Sequence, residues 1–368
     1  MSKWEKVRLG DVVTLLNGRA FKQEELLSQG KTPVLRVGNF FSNRDWYFSD
    51  LELEESKYCN EGDLLYAWSA SFGPKIWSGP KAIYHYHIWK LELTNRIDKV
   101  YAFYLLEYST KSIKEQGRGI TMLHATKGGM EKLIIPLPPV EIQKQIAHHL
   151  DMVSELLDSR KKQLEELDEL IKSVFYDMFG DPVTNDKGWE VKDLSEVADV
   201  IMGQSPPGDS YNTEGKGTPL LNGPTEFGVK HPIERQWTNA PTRICNAEDI
   251  LFCVRGATAG RLNIADKEYC LGRGLASIRP KNKYHREYLY LYLKMMYSYF
   301  QSTSNGSTFI NINKEQISSL SVLFVDEKSQ IYFTSIIEKI EEQKALVKQS
   351  VEETQTLFDA LMSQYFDE

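Results

Sequence analysis

The sequence predicts an α+β protein: two similar globular units of mixed α and β structure, held apart by a long antiparallel two-helix coiled coil and related by a pseudo-twofold internal repeat. Three observations carry this reading. An apolar seam occurs twice, the residues around the two seams repeat at a near-constant offset, and the acidity of the chain is concentrated on the two helices that carry the seams. Ile146, Leu150, Val153, Leu157, Leu164, Leu167, Ile171, Val174 and Met178, with Arg160 in the one gap, alternate steps of four and three, the a/d pattern of a heptad. An offset of 187 leads to Phe333, Ile337, Ile340, Lys344, Val347, Val351, Thr354, Phe358, Leu361 and Tyr365. A surface helix needs only a few turns of such a pattern and no shared phase with another. At ~1.5 Å per residue, Ile146 to Met178 spans roughly 50 Å, longer than a domain helix, so each run reads as a spacer.

In chain order the expected divisions are a globular domain at 1–140, a helix at 141–180, a second domain at 181–325 and a C-terminal helix at 326–368. Trp4, Leu9, Val12 and Gly18 recur as Trp189, Leu194, Val197 and Gly203, and the stretch 62–68 recurs at 248–254. Strands are expected at 34–37, 64–68 and 83–93, and again at 219–221, 250–254 and 275–278; aromatic-rich helices are expected at 101–108 and 287–297. Each domain ends on an extended apolar segment, 133–139 and 320–325, and Asp326 is positioned as the N-cap of the second long helix. The turn formers at 180–188 are too few to let the second domain return along the first helix. A domain of this size has a radius of gyration of roughly 15 Å, too small to carry the chain back for a parallel pairing. The helices should therefore run antiparallel, with Ile146 opposite Tyr365 and Leu167 opposite Lys344.

The net charge of −7 hides an uneven distribution. Residues 1–140 carry 19 basic and 16 acidic groups and 181–325 carry 16 of each, whereas 141–180 carry 5 and 9 and 326–368 carry 4 and 10. The acidic helices make a poor nucleic-acid surface, and the globular parts stay open as one. Charged residues interrupt every apolar run and the opening residues lack a signal-peptide core, so a soluble cytoplasmic protein with no membrane contact is expected. The cysteines Cys59, Cys245, Cys253 and Cys270 show neither paired spacing nor a histidine cluster, which argues against a metal site and against a disulfide framework.

No phosphate-binding loop, methyltransferase tetrad or zinc-protease helix occurs, and no titratable cluster recurs in both domains, so the chain reads as non-catalytic with no cofactor of its own. Polar, small-residue loops do recur at equivalent places. One pair holds Arg118, Thr121, His124, Thr126 and Lys127, answered by Ser307, Thr308, Asn311, Asn313 and Lys314; the other holds Ser69, Ser71 and Lys75, answered by Arg255, Thr258 and Arg261; Gln204 stands beside the repeated glycine. Hydroxyls, amides and cations of this kind suit phosphate and base-edge contacts with double-stranded DNA. The same residues equally suit surface turns and helix caps.

The motifs together resemble the specificity subunit of a type I restriction-modification system. They are the W-x-x-x-x-L openings at Trp4 and Trp189, the acidic D-x-L strands at Asp63 and Asp249, the loop Gly306-Ser307-Thr308, and the P-L-P-P-x-E-x-Q-x-x-I run from Pro136 to Ile146. The second helix start, from Phe324 to Gln330, lacks the prolines. The resemblance implies two target recognition domains, each reading half of a split DNA site, and helices that set the gap and dock two modification subunits. It places S-adenosylmethionine, ATP and Mg on partner subunits, with restriction and translocase subunits joining them. The other reading is a coiled-coil scaffold whose two domains bind protein or carbohydrate.

Overall fold

The computed structural model describes residues 4–42, 44–69, 72–116, 126–281, 285–297 and 311–367. The chain divides into two compact units, one of Met1–Lys162 with Lys348–Glu368, the other Gln163–Val347. The long helices run over Val140–Phe179 and Glu327–Phe366, and the division falls near the middle of each. The expected boundaries therefore mark helix ends, while each compact unit takes half of both helices with it. The reason lies off the seam. In the first unit Ala147, Met362 and Phe366 join Ile146 and Leu150 in one core with Leu9, Tyr101 and Leu105. In the second, Phe175 and Phe179, both fully buried, pack with Ile171, Phe333, Tyr288 and Leu293. A helix that is apolar on more than its a/d stripe buries the extra face in its own domain.

Within each unit the helix halves pair antiparallel. In the first, Arg160 donates to the Ser350 carbonyl at 2.5 Å and also to the Thr354 hydroxyl, and His149 meets the Tyr365 hydroxyl at 3.1 Å. In the second, Lys344 donates to Asp168 at 2.7 Å while the Phe179 and Phe333 rings lie 5.0 Å apart. Of the seam positions, Ile146, Leu150, Leu157, Ile171, Ile337, Ile340 and Val347 are buried, and Val153, Leu164, Leu167, Val174, Val351, Phe358 and Leu361 are half-buried. The polar seam members Lys344 and Thr354 are buried too. Burial pulls the Lys344 ammonium down, but Asp168 and Glu341 outweigh it and hold its pKa above the ordinary value. Asp326 caps the C-terminal helix, its carboxylate accepting from the Ser329 amide at 3.0 Å. Gln143, fully buried at the start of the central helix, ties that helix to its domain: it donates to the Arg96 and Pro138 carbonyls and accepts from the Asp98 amide.

The two units share one topology. In the first, Val13–Asn17, Ile88–Leu93, Leu64–Ala67 and Gly73–Ile76 form an antiparallel four-stranded sheet in that order. A second sheet runs Tyr47–Ser49, Thr32–Leu35, Ala82–Tyr84, Tyr58–Cys59, with a parallel central pair. The second unit repeats both: Ala198–Met202, Leu275–Pro280, Ile250–Cys253 and Leu262–Ile264, then Trp237–Thr238, Thr218–Leu221, Tyr269–Leu271 and Ile244–Cys245 with one added edge strand, Tyr211–Asn212. In each unit the segment before the long helix, Ile134–Leu137 or Ser321–Phe324, pairs with the first strand, Glu5–Arg8 or Glu190–Asp193. The expected strand at 83–93 is in fact two, Ala82–Tyr84 and Ile88–Leu93, in different sheets. Residues 85–87 form the crossover between them. The expected strand at 34–37 stops at Leu35 and a short helix, Val37–Phe41, follows.

Candidate nucleic-acid interface

The crossover between the two sheets is the centre of a loop cluster built the same way in both units. In the second unit it is Gly272-Arg273-Gly274. Its backbone is held by neighbouring loops: Gly203 and Gln204 donate to Leu275 and Leu271, Gly272 donates to Leu221, Val254 donates to Gly274, and Leu271 donates to Arg243, all at 2.7–2.9 Å. The Arg273 amide donates to the Ser205 hydroxyl at 3.2 Å. Arg255 and Asn311 pair across an isolated bridge, and Ile312 donates to Val254 at 2.9 Å, which brings the two recurrent loops of the sequence together. The approach is close: a Cβ on Gly203 would lie 2.2 Å from the Gly272 carbonyl, so only glycine fits. The exposed rim presents Gln204, Arg243, Arg255, Arg273 and Asn311. Among the described residues none of these three arginines forms an ion pair.

The first unit has His85-Tyr86-His87 at the crossover. His85 donates to the Leu35 carbonyl, Tyr86 to Arg19, Arg19 to Tyr84 and Trp68 to His87, at 2.9–3.0 Å. Gly18 occupies the place of Gly203, where a Cβ would meet the Tyr84 carbonyl at 2.4 Å. Here the rim is aromatic. The Tyr86 and His87 rings lie 3.8 Å apart, His85 and His87 4.9 Å, Trp68 and His87 5.0 Å, and Phe21 stacks on His85 at 6.3 Å. Its guanidiniums are engaged: Arg19 pairs with Glu25 at 2.8 Å and Arg36 sits 4.9 Å over the Tyr47 ring. The Arg19 hydrogen bond holds the Glu25 carboxyl down at about 2. Burial first, then His87 and Arg36, hold His85 down to about 4, and burial lowers His87 as well, so both imidazoles are neutral at pH 7.

The other sequence candidates fall in different places. Lys75 is drawn inward, donating to the Phe40 carbonyl at 2.9 Å, and is not part of the rim. Arg261, though only a few residues from Arg255, lies on the far limb of its hairpin and lines a groove with Glu165, Asp168 and Tyr290. Thr258 is half-buried, its hydroxyl 3.6 Å from the Cys253 sulfur. Thr126 and Asn313 are N-caps of the short helices Lys127–Glu131 and Lys314–Ser318, accepting from Gly129 and Gln316. Lys127 faces Glu131 at 3.8 Å, and Lys314 is exposed. Ser69 is half-buried beside Trp68. Ser71, Arg118, Thr121, His124, Ser307 and Thr308 lie outside the described residues.

Sequence reasoning missed Arg19, Arg36, His85, Tyr86, His87, Arg243 and Arg273. The available signal was the Gly-Arg-Gly triplet at 272–274, which the repeat aligns with the aromatic triplet at 85–87. The repeated Asp63 and Asp249 prove to be structural. Asp249 accepts from the Asn246 amide and Ser277 and binds Arg279 through both oxygens at 2.9 Å; Asp63 accepts from the Asn60 amide and pairs with Lys90 at 2.8 Å. All four cysteines are buried free thiols, and among the described residues no His, Cys, Asp or Glu group is placed to hold a metal. No helix among them is long and apolar enough to cross a membrane.

Comparison with known proteins agrees with this duplicated architecture. The family model for the type I restriction modification DNA specificity domain matches twice, at residues 1–169 and 186–354. The putative type I restriction enzyme MjaX specificity subunit of Methanocaldococcus jannaschii is 30% identical over 94% of this chain and 85% of its own length. The EcoKI specificity subunit of Escherichia coli K12 is 27% identical over 63% of this chain and 53% of its own. A chain from a solved type I restriction-modification system covers 98% of this one with a TM-score of 0.67 at 24% identity. The type I S subunit from M. genitalium covers 99% with a TM-score of 0.58 at 16% identity, so these two likenesses speak to the fold. The chain belongs to the type I restriction-modification DNA specificity family.

Proposed function

We propose that this chain is the DNA sequence-recognition subunit of a type I restriction-modification enzyme, reading one half of a bipartite site with the loop rim of each unit. The observation that carries the reading is the pair of rims itself: one backbone frame built twice, closely tied by hydrogen bonds, and dressed with different exposed side chains. Two readers of different half-sites need that combination, since contacts to base edges specify while the frame positions. Large apolar side chains left exposed on the long helices, among them Met152, Leu156, Leu170, Tyr332, Leu346 and Leu357, suit docking of two modification subunits. S-adenosylmethionine would then act on those subunits to methylate adenine, and restriction subunits would use ATP and Mg. The chain itself contributes recognition.

The test is single-molecule methylation sequencing of host DNA with and without this chain, its modification subunits retained. A split motif that carries methyl-adenine and vanishes on deletion is the expected result. An unchanged methylome, with the complex assembled, would refute the assignment.

A further inference from the structure

At the crossover of each unit neighbouring loops clamp the backbone while the central side chain stays exposed. Arg273 is exposed between two glycines, and the added Cβ of Gly272 or Gly274 would lie 2.6 Å from the Asn222 Oδ1 or 2.3 Å from its carbonyl oxygen. The two glycines place no side chain beside Arg273, and no carboxylate among the described residues pairs with it. Tyr86, its counterpart under the repeat, is 39% exposed, and its backbone is fixed by the Trp68 indole, which donates to the Tyr86 carbonyl at 2.9 Å, and by its own amide donating to Arg19. A side chain on a rigid, doubly clamped tip meets a base edge with little conformational cost.

Resting on the function proposed above, we infer that Tyr86 and Arg273 are the equivalent specificity-determining residues of the two units: the Arg273 fork takes a guanine in the second half-site, and the Tyr86 ring lies against an A·T pair in the first. A guanidinium that no carboxylate among the described residues engages matches the O6 and N7 acceptors of guanine, and a bidentate pair of this kind discriminates by about ten- to a hundred-fold. An aromatic ring supplies apolar contact to the thymine methyl and offers no fork.

The experiment uses the full chain assembled with its modification subunits and reads the methylated motif together with a thermal melt of each complex. The wild-type motif should contain guanine in its second half. Arg273→Ala should relax that one position by about ten- to a hundred-fold and leave the first half intact. Arg273→Lys keeps the charge and loses the fork, so it should relax the same base with affinity preserved, whereas a phosphate-binding role would leave its motif untouched. Tyr86→Arg should bring a guanine preference into the first half. Unchanged motifs in folded variant complexes would overturn this inference and leave the recognition role standing; a wild-type complex with no motif at all would overturn both.

Discussion

The two loop rims pose the same geometric problem and solve it with opposite chemistry. The first unit lines its rim with Phe21, Trp68, His85, Tyr86 and His87 and keeps Arg19 and Arg36 occupied with Glu25 and Tyr47. The second places glycines where the histidines stand and, among the described residues, gives Arg243, Arg255 and Arg273 no carboxylate partner. The glycine that lets the first loop approach the crossover backbone, Gly18 or Gly203, is common to both. What varies is what faces outward. A frame fixed by backbone hydrogen bonds can thus exchange imidazoles and aromatic rings for guanidiniums without refolding, which is the combination the proposed reading of two half-sites requires.

The difference extends below the rim, where the largest effect is expected. Asp249 is 2% exposed and satisfies Arg279, Ser277 and the Asn246 amide together. Asp63 has only Lys90 and the Asn60 amide, and it is more open to solvent. Asp249→Ala should destabilise the second unit by about 3 kcal/mol, because it strands a partly buried guanidinium and a buried hydroxyl. Asp63→Ala should cost the first unit about 1 kcal/mol. Denaturant unfolding followed by tryptophan fluorescence measures both, and equal losses would show that the two turns are held alike.

Acid should separate the units next. His85 has its folded pKa near 4 against an ordinary 6.5, and His87 is shifted the same way. The folded state therefore refuses a proton that the unfolded chain accepts. Full stability is present above about pH 6.5 and is lost as the pH falls toward 4, by about 1 to 2 kcal/mol once solvent screening of these half-exposed rings is allowed for. Burial first, then His87 and Arg36, oppose protonation of His85, and Glu25 is already committed to Arg19. Gly272 and Gly274 give the second unit no such response. Amide hydrogen exchange across pH 7 to 4.5 should show the first rim loosening alone, and His85→Gln should remove most of the effect.

Much of this was legible in the sequence, for reasons that differ by element. The long helices were readable because a heptad writes itself locally, and the duplication because two copies share an offset. The split at 85–87 was not readable: no glycine or proline marks a turn within 83–93, and only the sheet assignment of each half reveals two strands. The rim was half-readable. Arg255 and Asn311 stand in recurrent polar loops and Gln204 beside the repeated glycine, so the sequence marks them, yet Arg243 and Arg273 join them only through backbone pairing across separate loops. Arg261 and Lys75 were assigned by proximity in the chain, and a hairpin turns such neighbours to opposite sides.

The smallest expected effect is also the most direct test of whether the two rims differ in electrostatic loading. Arg243 is exposed, its backbone carbonyl accepts from Leu271, and among the described residues its guanidinium has no ion pair, so it can neutralise a phosphate outright. Arg19 has already given two hydrogen bonds, at 2.8 and 2.9 Å, to a carboxylate held ionised well below neutrality. Binding of the assembled complex to its target should therefore lose about one unit of salt slope in Arg243→Ala, with affinity down by about 0.5 to 1 kcal/mol on every sequence alike. While Glu25 holds it, Arg19 neutralises no phosphate, so the salt slope of Arg19→Ala should stay within error of the wild type. Fluorescence anisotropy across a salt series reads both slopes. If Arg19→Ala shifted the slope as much as Arg243→Ala, the ion pair with Glu25 would have to open on DNA, and the first rim would be loaded like the second.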